Sequence, residues 1–259
     1  MIKFGRMTHP GENIVKEIKK TKHLGFDFVE IGIEAPTDAS ALRKNKSSIQ
    51  KMLKEFNNPP LGHTSWWYEL GSPYDSVRKG WIEQAKIDIE IASELGIKLL
   101  NFHFKILSRI LRQHEKSLKL ISDNYVKSLR ELSKFAKKKD IVIMLENVEG
   151  NFEYYKYVLD KVPEIKFHFD VGHAFILDGM PEIRKFGSYF RERIVHIHVH
   201  DNNGKEDQHL GLGKGSTKWK EVVSLLKKIE YDRTITFEVF TSDKDLVKSM
   251  EYFRRLWYA

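Results

Sequence analysis

The chain contains no cysteine, and this absence excludes several classes of site. Without thiols there is no disulfide framework, no thiolate-bound metal and no cysteine nucleophile. Any metal that the protein holds must therefore be bound by His, Asp and Glu. Such a donor set suits zinc or manganese, and also cobalt or magnesium, rather than iron–sulfur or soft-metal chemistry.

Long apolar runs and glycine-rich phosphate loops are also absent. No stretch reaches the roughly 18 apolar residues that a membrane helix needs. The N-terminal segment Met1-Ile-Lys-Phe-Gly-Arg-Met7 has no apolar signal region, so we expect a cytoplasmic protein without a membrane partner. No GxGxxG or Walker-type loop follows the first predicted strand, which disfavours a nucleotide-binding fold.

The charge balance is basic, with 44 basic and 36 acidic residues and a net charge of +8. An excess of this sign is compatible with a nucleic-acid partner. The acids are interleaved with the bases, however, as on the mixed Lys/Glu surfaces of many heat-adapted proteins. We therefore interpret the excess mainly as a solvated surface and keep DNA as an alternative partner.

Eight short apolar runs alternate with charged segments of helical periodicity. The predicted strands are Ile2–Gly5, Phe26–Ile33, Pro60–Ser65, Ile97–Phe104, Ile141–Asn147, Ile165–Val171, Ile194–Asp201 and Thr234–Phe240. Strands joined by helical crossovers are parallel. Eight such units in 259 residues favour a closed (β/α)8 barrel, typically about 250 residues long, over an open sheet. No linker or break in composition divides the chain, so we expect a single domain over residues 1–259.

Polar residues near the strand ends share one parity, which predicts that they face the barrel interior. In the seventh strand, His196, His198 and His200 alternate with apolar residues. The same alternation places one His, Asp or Glu at the end of each of six successive strands: His63, His103, Glu146, Asp170, His198 and Glu238. Carboxylates crowded together repel one another and are costly to desolvate unless a cation compensates them. The sequence therefore predicts a divalent-metal site at the C-terminal ends of the strands, where this fold places its active sites.

The segments that carry these residues resemble the xylose-isomerase-like TIM barrels. That superfamily includes sugar and sugar-phosphate isomerases and epimerases, and abasic-site endonucleases of the endonuclease IV type. Matching segments include Leu145-Glu-Asn147, Phe169-Asp-Val-Gly-His-Ala-Phe175 and Asp207-Gln-His-Leu-Gly-Leu-Gly-Lys-Gly215. The resemblance covers nearly the whole chain and leaves two hypotheses for its activity.

In the first hypothesis the chain is a sugar or sugar-phosphate isomerase or epimerase with one divalent metal ion. The resemblance then implies four metal ligands: Glu146, Asp170, His198 and Glu238. The metal would polarise the carbonyl of a ketose, and Glu146 and Glu238 would act as the acid–base pair that moves the proton on carbon. The residues expected to contact the sugar or its phosphate are Trp66, Trp67, His200 and Lys105.

In the second hypothesis the chain is a zinc-dependent endonuclease that cleaves DNA at abasic sites. The resemblance then implies two or three zinc ions and nine ligands: His63, His103, Glu146, Asp170, His173, His198, Asp207, His209 and Glu238. We expect Arg109 and Arg112 to approach the extruded nucleotide.

The loops after two strands depart from the endonuclease pattern. The endonucleases usually have Pro-Gly-Ser after the fourth-strand His and Gly-Gln-Gly after the fifth-strand Glu-Asn. This chain has Phe104-Lys-Ile106 and Val148-Glu-Gly150 there. These departures favour the isomerase, the complete ligand set favours the nuclease, and a barrel that binds metal and sugar without turnover is a third alternative. The number of bound ions, from one to three, separates the first two.

Overall fold

Eight parallel strands form a closed barrel in the computed structural model, which describes residues 1–9, 11–105 and 114–259. The strands are β1 (Lys3–Met7), β2 (Phe28–Ile33), β3 (Leu61–Thr64), β4 (Leu99–His103), β5 (Val142–Glu146), β6 (Lys166–Asp170), β7 (Ile194–Val199) and β8 (Thr234–Phe237). They pair in chain order, and β8 closes the barrel against β1. The predicted (β/α)8 barrel is therefore confirmed. Arg109 and Arg112 lie outside the described residues.

Helices follow the strands and surround the barrel. In the described part of the chain they are α1 (Ile14–His23), α2 (Ala39–Lys44), α3 (Lys46–Leu53), α4 (Asp75–Glu94), α5 (Glu115–Lys137), α6 (Phe152–Lys161), α7 (Val171–Tyr189), α8 (Trp219–Lys228) and α9 (Asp243–Tyr258). Over the same residues, no helix is both long and apolar enough to span a bilayer.

Polar side chains at the strand–helix junctions start several helices. The side chains of Asn13, Asp38, Asn151, Asp170 and Ser242 each accept a backbone N–H from the first turn of α1, α2, α6, α7 and α9, respectively. Each cap satisfies a backbone donor that has no partner within its own helix. Because these junctions are short, the first turn of a helix lies close to the end of the preceding strand.

Each strand differs from the predicted one at one or both ends, by one to three residues. β1 is displaced along the chain and ends at Met7 rather than Gly5. β6 ends at Asp170 rather than Val171, because the Asp170 side chain accepts the backbone N–H of His173 and begins α7 there. β8 ends at Phe237, three residues before the predicted Phe240.

The barrel has an apolar outer layer and a polar upper interior. On β7, Ile197 and Val199 are fully buried in the hydrophobic core, which also includes Phe186 on α7 and Trp219 on α8. His198, of the opposite parity, is equally buried and lies close to polar groups of other strands. The alternation of each strand thus separates the core from the lining of the site.

Candidate metal centre

A cavity of about 390 Å³ opens at the C-terminal ends of the strands. Seven of the nine predicted ligands line it: His63, His103, Glu146, His173, Asp207, His209 and Glu238. Asp170 and His198 are fully buried, and each lies within 4 Å of one or more of these ligands. The structure therefore brings all nine side chains together, from five strands, the first turn of α7, the loop after β7 and the residue that follows β8.

The first donor group consists of His63, His103 and Glu146. The Nε2 atoms of the two histidines lie 2.8 Å apart. Oε2 of Glu146 lies 3.2 Å from Nε2 of His103 and 3.7 Å from Nε2 of His63. Ligand atoms about 2.0–2.1 Å from a tetrahedral zinc ion lie roughly 3.3 Å from one another. The spacing of these three atoms therefore fits ligands that share one cation.

The second donor group surrounds Asp170. Nδ1 of His173 lies 3.3 Å from Oε1 of Glu146 and 3.5 Å from Oδ1 of Asp170. Nδ1 of His198 lies 3.3 Å from Oε2 of Glu238 and 3.8 Å from Oδ2 of Asp170. Oδ2 of Asp170 and Nδ1 of His173 are buried without a hydrogen-bond partner among the described residues. Because buried polar atoms are rarely left unpaired, these two fit a bound cation.

The third donor group lies on the loop between β7 and α8. The two carboxylate oxygens of Asp207 lie 3.2 Å from Nε2 of His173 and 3.2 Å from Nε2 of His209. His209 has a φ of +46°, a conformation that non-glycine residues rarely adopt. Such backbone strain is concentrated at functional sites, because the surrounding structure must offset its cost.

Opposite charges stabilise the ionised carboxylates of the cluster. Burial alone would raise the pKa of Glu238, but the nearby His209 and His198 imidazoles lower it to about 2. Burial lowers the pKa of His209, but Glu238 and Asp207 outweigh it and raise that pKa to about 9. The carboxylates are therefore held in the ionised form, which is the form that binds a cation.

The sequence profile of the xylose isomerase-like TIM barrel family matches residues 18–256. The chain belongs to this family. An uncharacterized protein of Methanocaldococcus jannaschii is 28% identical over 254 residues, covering 93% of this chain and 83% of that protein. A protein of Aquifex aeolicus named probable endonuclease 4 is 24% identical over 266 residues, covering 93% of this chain and 92% of that protein. The solved structure of a D-tagatose 3-epimerase-like protein is 26% identical, with a TM-score of 0.86, and covers 99% of this chain and 97% of that one.

The four predicted sugar contacts of this xylose isomerase-like barrel occupy different environments. Trp66 lines the cavity and is 47% exposed, and Nζ of Lys105 lies 4.5 Å from its ring centroid. Lys105 also lines the cavity and pairs with Glu149 at 2.5 Å. Trp67 packs against the hydrophobic core instead. His200 is fully buried, with its ring stacked on that of His209.

Three polar residues near the centre were not among the predicted site residues. His9 and Glu34 line the cavity from the loops after β1 and β2. Glu30 on β2 is fully buried and contacts His63, His196 and His198. In the sequence, Glu30 stands between the apolar Val29 and Ile31, and this alternation along β2 indicated that Glu30 faces the barrel interior. Its partners come from other strands, however, and sequence spacing does not identify them.

Proposed function

We propose that this barrel is a phosphodiesterase that acts on abasic-site DNA with more than one divalent metal ion, zinc or manganese. The observation that carries the proposal is that the two carboxylate oxygens of Glu146 lie in two different donor groups. Its Oε2 lies 3.2 Å from His103, whereas its Oε1 lies 3.3 Å from His173. A carboxylate with each oxygen in a different group fits a bridge between two cations. An isomerase with a single metal has no need of that bridge.

The residues of the chain hold this arrangement before any substrate arrives. The Asn101 side chain donates a hydrogen bond to Oε2 of Glu146 and lies 3.3 Å from Nε2 of His103. Glu238 Oε2 lies within 3.5 Å of both His198 and His209, so this carboxylate links the second and third groups. Bound divalent ions would supply Lewis acidity and positive charge against a phosphodiester.

The mouth of the cavity offers surfaces for a nucleotide. Trp66 and Phe240 line it and are each 47% exposed, so part of each ring is accessible to an extruded sugar or base. Lys105 lies at the same rim, where it is paired with Glu149, and the chain has a net charge of +8. The resemblance to the probable endonuclease 4 of Aquifex aeolicus over most of both chains also supports this substrate.

The test is a count of bound metal ions joined to a cleavage assay. We expect more than one zinc ion per wild-type chain and fewer in His103→Ala and His209→Ala. Nicking of a duplex with a tetrahydrofuran abasic analogue should fall about 10²-fold or more in both variants. His23→Ala, at an exposed position on α1, is the matched control and should change neither quantity. A single ion that survives both substitutions would contradict the proposal.

A sugar or sugar-phosphate isomerase or epimerase is the second candidate, because Glu146 and Glu238 line the same cavity. The two carboxylates would then exchange the proton on the carbon beside a ketose carbonyl. The cavity of about 390 Å³ is within the size range of small-molecule sites, and the fold matches that of a D-tagatose 3-epimerase-like protein.

The second candidate is tested by incubating the metal-loaded protein with ketoses and ketose phosphates in deuterated water. Deuterium incorporation at the carbon beside the carbonyl, abolished in Glu238→Gln, would support it. Nicking of abasic DNA without any such exchange would reject it in favour of the phosphodiesterase.

A further inference from the structure

We propose that Glu30 is a positioning residue that determines which ring nitrogen of His63 and of His198 faces the metal centre. Glu30 lies on β2, one residue before Ile31, and is fully buried. It is outside the nine predicted ligands. The inference rests on the proposed metal centre and adds to it a residue that acts through two of the ligands.

Three imidazoles surround the Glu30 carboxylate. Oε1 lies 3.1 Å from Nδ1 of His63, while Oε2 lies 2.9 Å from Nε2 of His198 and 3.0 Å from Nε2 of His196. An ionised carboxylate only accepts hydrogen bonds, so each of these three nitrogens must carry its hydrogen. Three converging donors favour the ionised form of a buried carboxylate.

The tautomers of both ligands follow from this arrangement. A neutral imidazole has one N–H and one lone pair. With the hydrogen of His63 on Nδ1, its lone pair is on Nε2, the atom 2.8 Å from Nε2 of His103. With the hydrogen of His198 on Nε2, its lone pair is on Nδ1, the atom 3.3 Å from Glu238. In both rings the free lone pair is therefore on the side of the donor groups.

The third imidazole, His196, links the carboxylate to β7 and β8. Nδ1 of His196 lies 2.8 Å from the hydroxyl of Thr234 on β8, which leaves its Nε2–H for Glu30. Glu30 thus holds together side chains from β2, β3 and β7. A glutamine at this position has one acceptor oxygen and an NH2 donor, so it does not satisfy three N–H groups. At least one ring must then change its tautomer or lose its hydrogen bond.

The first experiment uses the wild-type protein, loaded with zinc and labelled with nitrogen-15 in its histidine rings. Long-range proton–nitrogen spectra report which ring nitrogen is bound to metal and which is protonated. We expect His63 to bind through Nε2 and His198 through Nδ1. Zinc bound through the opposite nitrogens would overturn the role of Glu30 and leave the metal centre intact. A protein that binds no zinc would overturn both.

The second experiment compares the zinc affinity of Glu30→Gln with that of the wild type by competition with a chromophoric chelator. Mutation of a residue that is hydrogen-bonded to a metal-binding histidine typically lowers the metal affinity about 10–100-fold, and we expect a loss of this size. Asp88→Asn removes another buried carboxylate, which does not line the cavity, and should leave the affinity unchanged. Wild-type affinity in a folded Glu30→Gln would overturn the inference.

The Glu30→Asp variant covers the case in which Glu30→Gln does not fold. It retains the charge but shortens the side chain, so it should bind zinc with less than the wild-type affinity through the same ring nitrogens. Thermal denaturation of the metal-free variants separates positioning from general stability. A lower melting temperature in Glu30→Asp with unchanged zinc affinity would indicate a structural role and reject positioning.

Discussion

Asp88, on the outer helix α4, is a buried carboxyl group outside the candidate site. It is 1% exposed and accepts hydrogen bonds from the Tyr68 hydroxyl at 2.6 Å and from the Gln84 amide at 3.1 Å. Burial raises its pKa from 3.8 to about 7, although both hydrogen bonds oppose this change. Between these two pH values the folded state retains a proton that the unfolded chain has released. The stability that the protonated Asp88 carboxyl group contributes is therefore fully present at low pH and is lost as the pH rises through about 7.

Replacement of Asp88 by asparagine should remove this pH dependence. We expect the free energy of unfolding of Asp88→Asn to fall less between about pH 5 and pH 8 than that of the wild type, by on the order of 2 kcal/mol. Urea denaturation across that range measures the difference. Asp232→Asn, at an exposed position, is the control and should follow the wild-type curve. Parallel curves for Asp88→Asn and the wild type would show that Asp88 does not titrate differently on folding.

The inward-facing ligands were accessible to sequence analysis because strand alternation is a local property. His198 could be assigned to the barrel interior from its neighbours in β7 alone. The role of Glu30 could not, since its three histidine partners are distant in sequence and meet only when the barrel closes. The burial of His200 likewise depends on a contact between residues that are distant in sequence. Its ring packs so closely on Gly172 that a Cβ atom at that position would lie only 2.3 Å from it.

The loop between β7 and α8 depends on a single carboxylate at its start. Asp201 is fully buried and accepts hydrogen bonds from four donors: the backbone N–H groups of Asn202, Gly213 and Thr217 and the indole N–H of Trp219. This loop carries Asp207 and His209, the third donor group. The position of these two ligands should therefore depend on a carboxylate whose four hydrogen-bond donors belong to other residues of the chain.

Loss of the Asp201 carboxylate should weaken both the fold and metal binding. We expect Asp201→Ala to lower the free energy of unfolding by about 2–4 kcal/mol, because several buried donors lose their acceptor. We also expect fewer zinc ions per chain, because Asp207 and His209 would lose their fixed positions, and elemental analysis at limiting zinc measures that number. Asp160→Ala, which breaks an exposed ion pair with Lys156, is the control and should cost under about 1 kcal/mol. Full metal content in Asp201→Ala would mean that the loop is ordered by other contacts.

Element boundaries were less accessible to sequence analysis than element type. All eight strands appear where the apolar runs predict them, but β6 stops at Asp170 because that side chain caps α7. Within α7, the backbone is non-helical at Asp178 and Gly179, and a second helical part that contains Pro181 follows. Proline is favoured in the first turn of a helix, so Pro181 marks the start of this second part.

Closure of the barrel gathers the donors from distant parts of the sequence. The nine predicted ligands come from the ends of β3 to β7 and from the segments that follow β6, β7 and β8, as expected for a site at the C-terminal face of this fold. Several carboxylates and imidazoles are buried together there, which costs free energy in the folded state. The stability of the whole molecule should therefore depend on a cation that binds the folded chain and not the unfolded one.

Metal removal should lower the melting temperature of the protein, and zinc should restore it. A free zinc concentration about 100 times the dissociation constant stabilises the folded state by about 2.7 kcal/mol per site. For a chain of this size, each 1 kcal/mol corresponds to about 2–4 °C. We therefore expect a rise of about 5–10 °C for each zinc ion bound when zinc is returned to chelator-treated protein, measured by calorimetry.

The ligand variants distinguish a specific centre from general binding of zinc to the surface. His103→Ala and His209→Ala should each lose part of the rise, because each removes a ligand from a different donor group. The exposed His23→Ala should keep all of it. An equal rise in all four proteins would mean that zinc acts elsewhere on the molecule. No rise in the wild type would reject a metal centre made of these nine side chains, because a cation that binds them must stabilise the fold that brings them together.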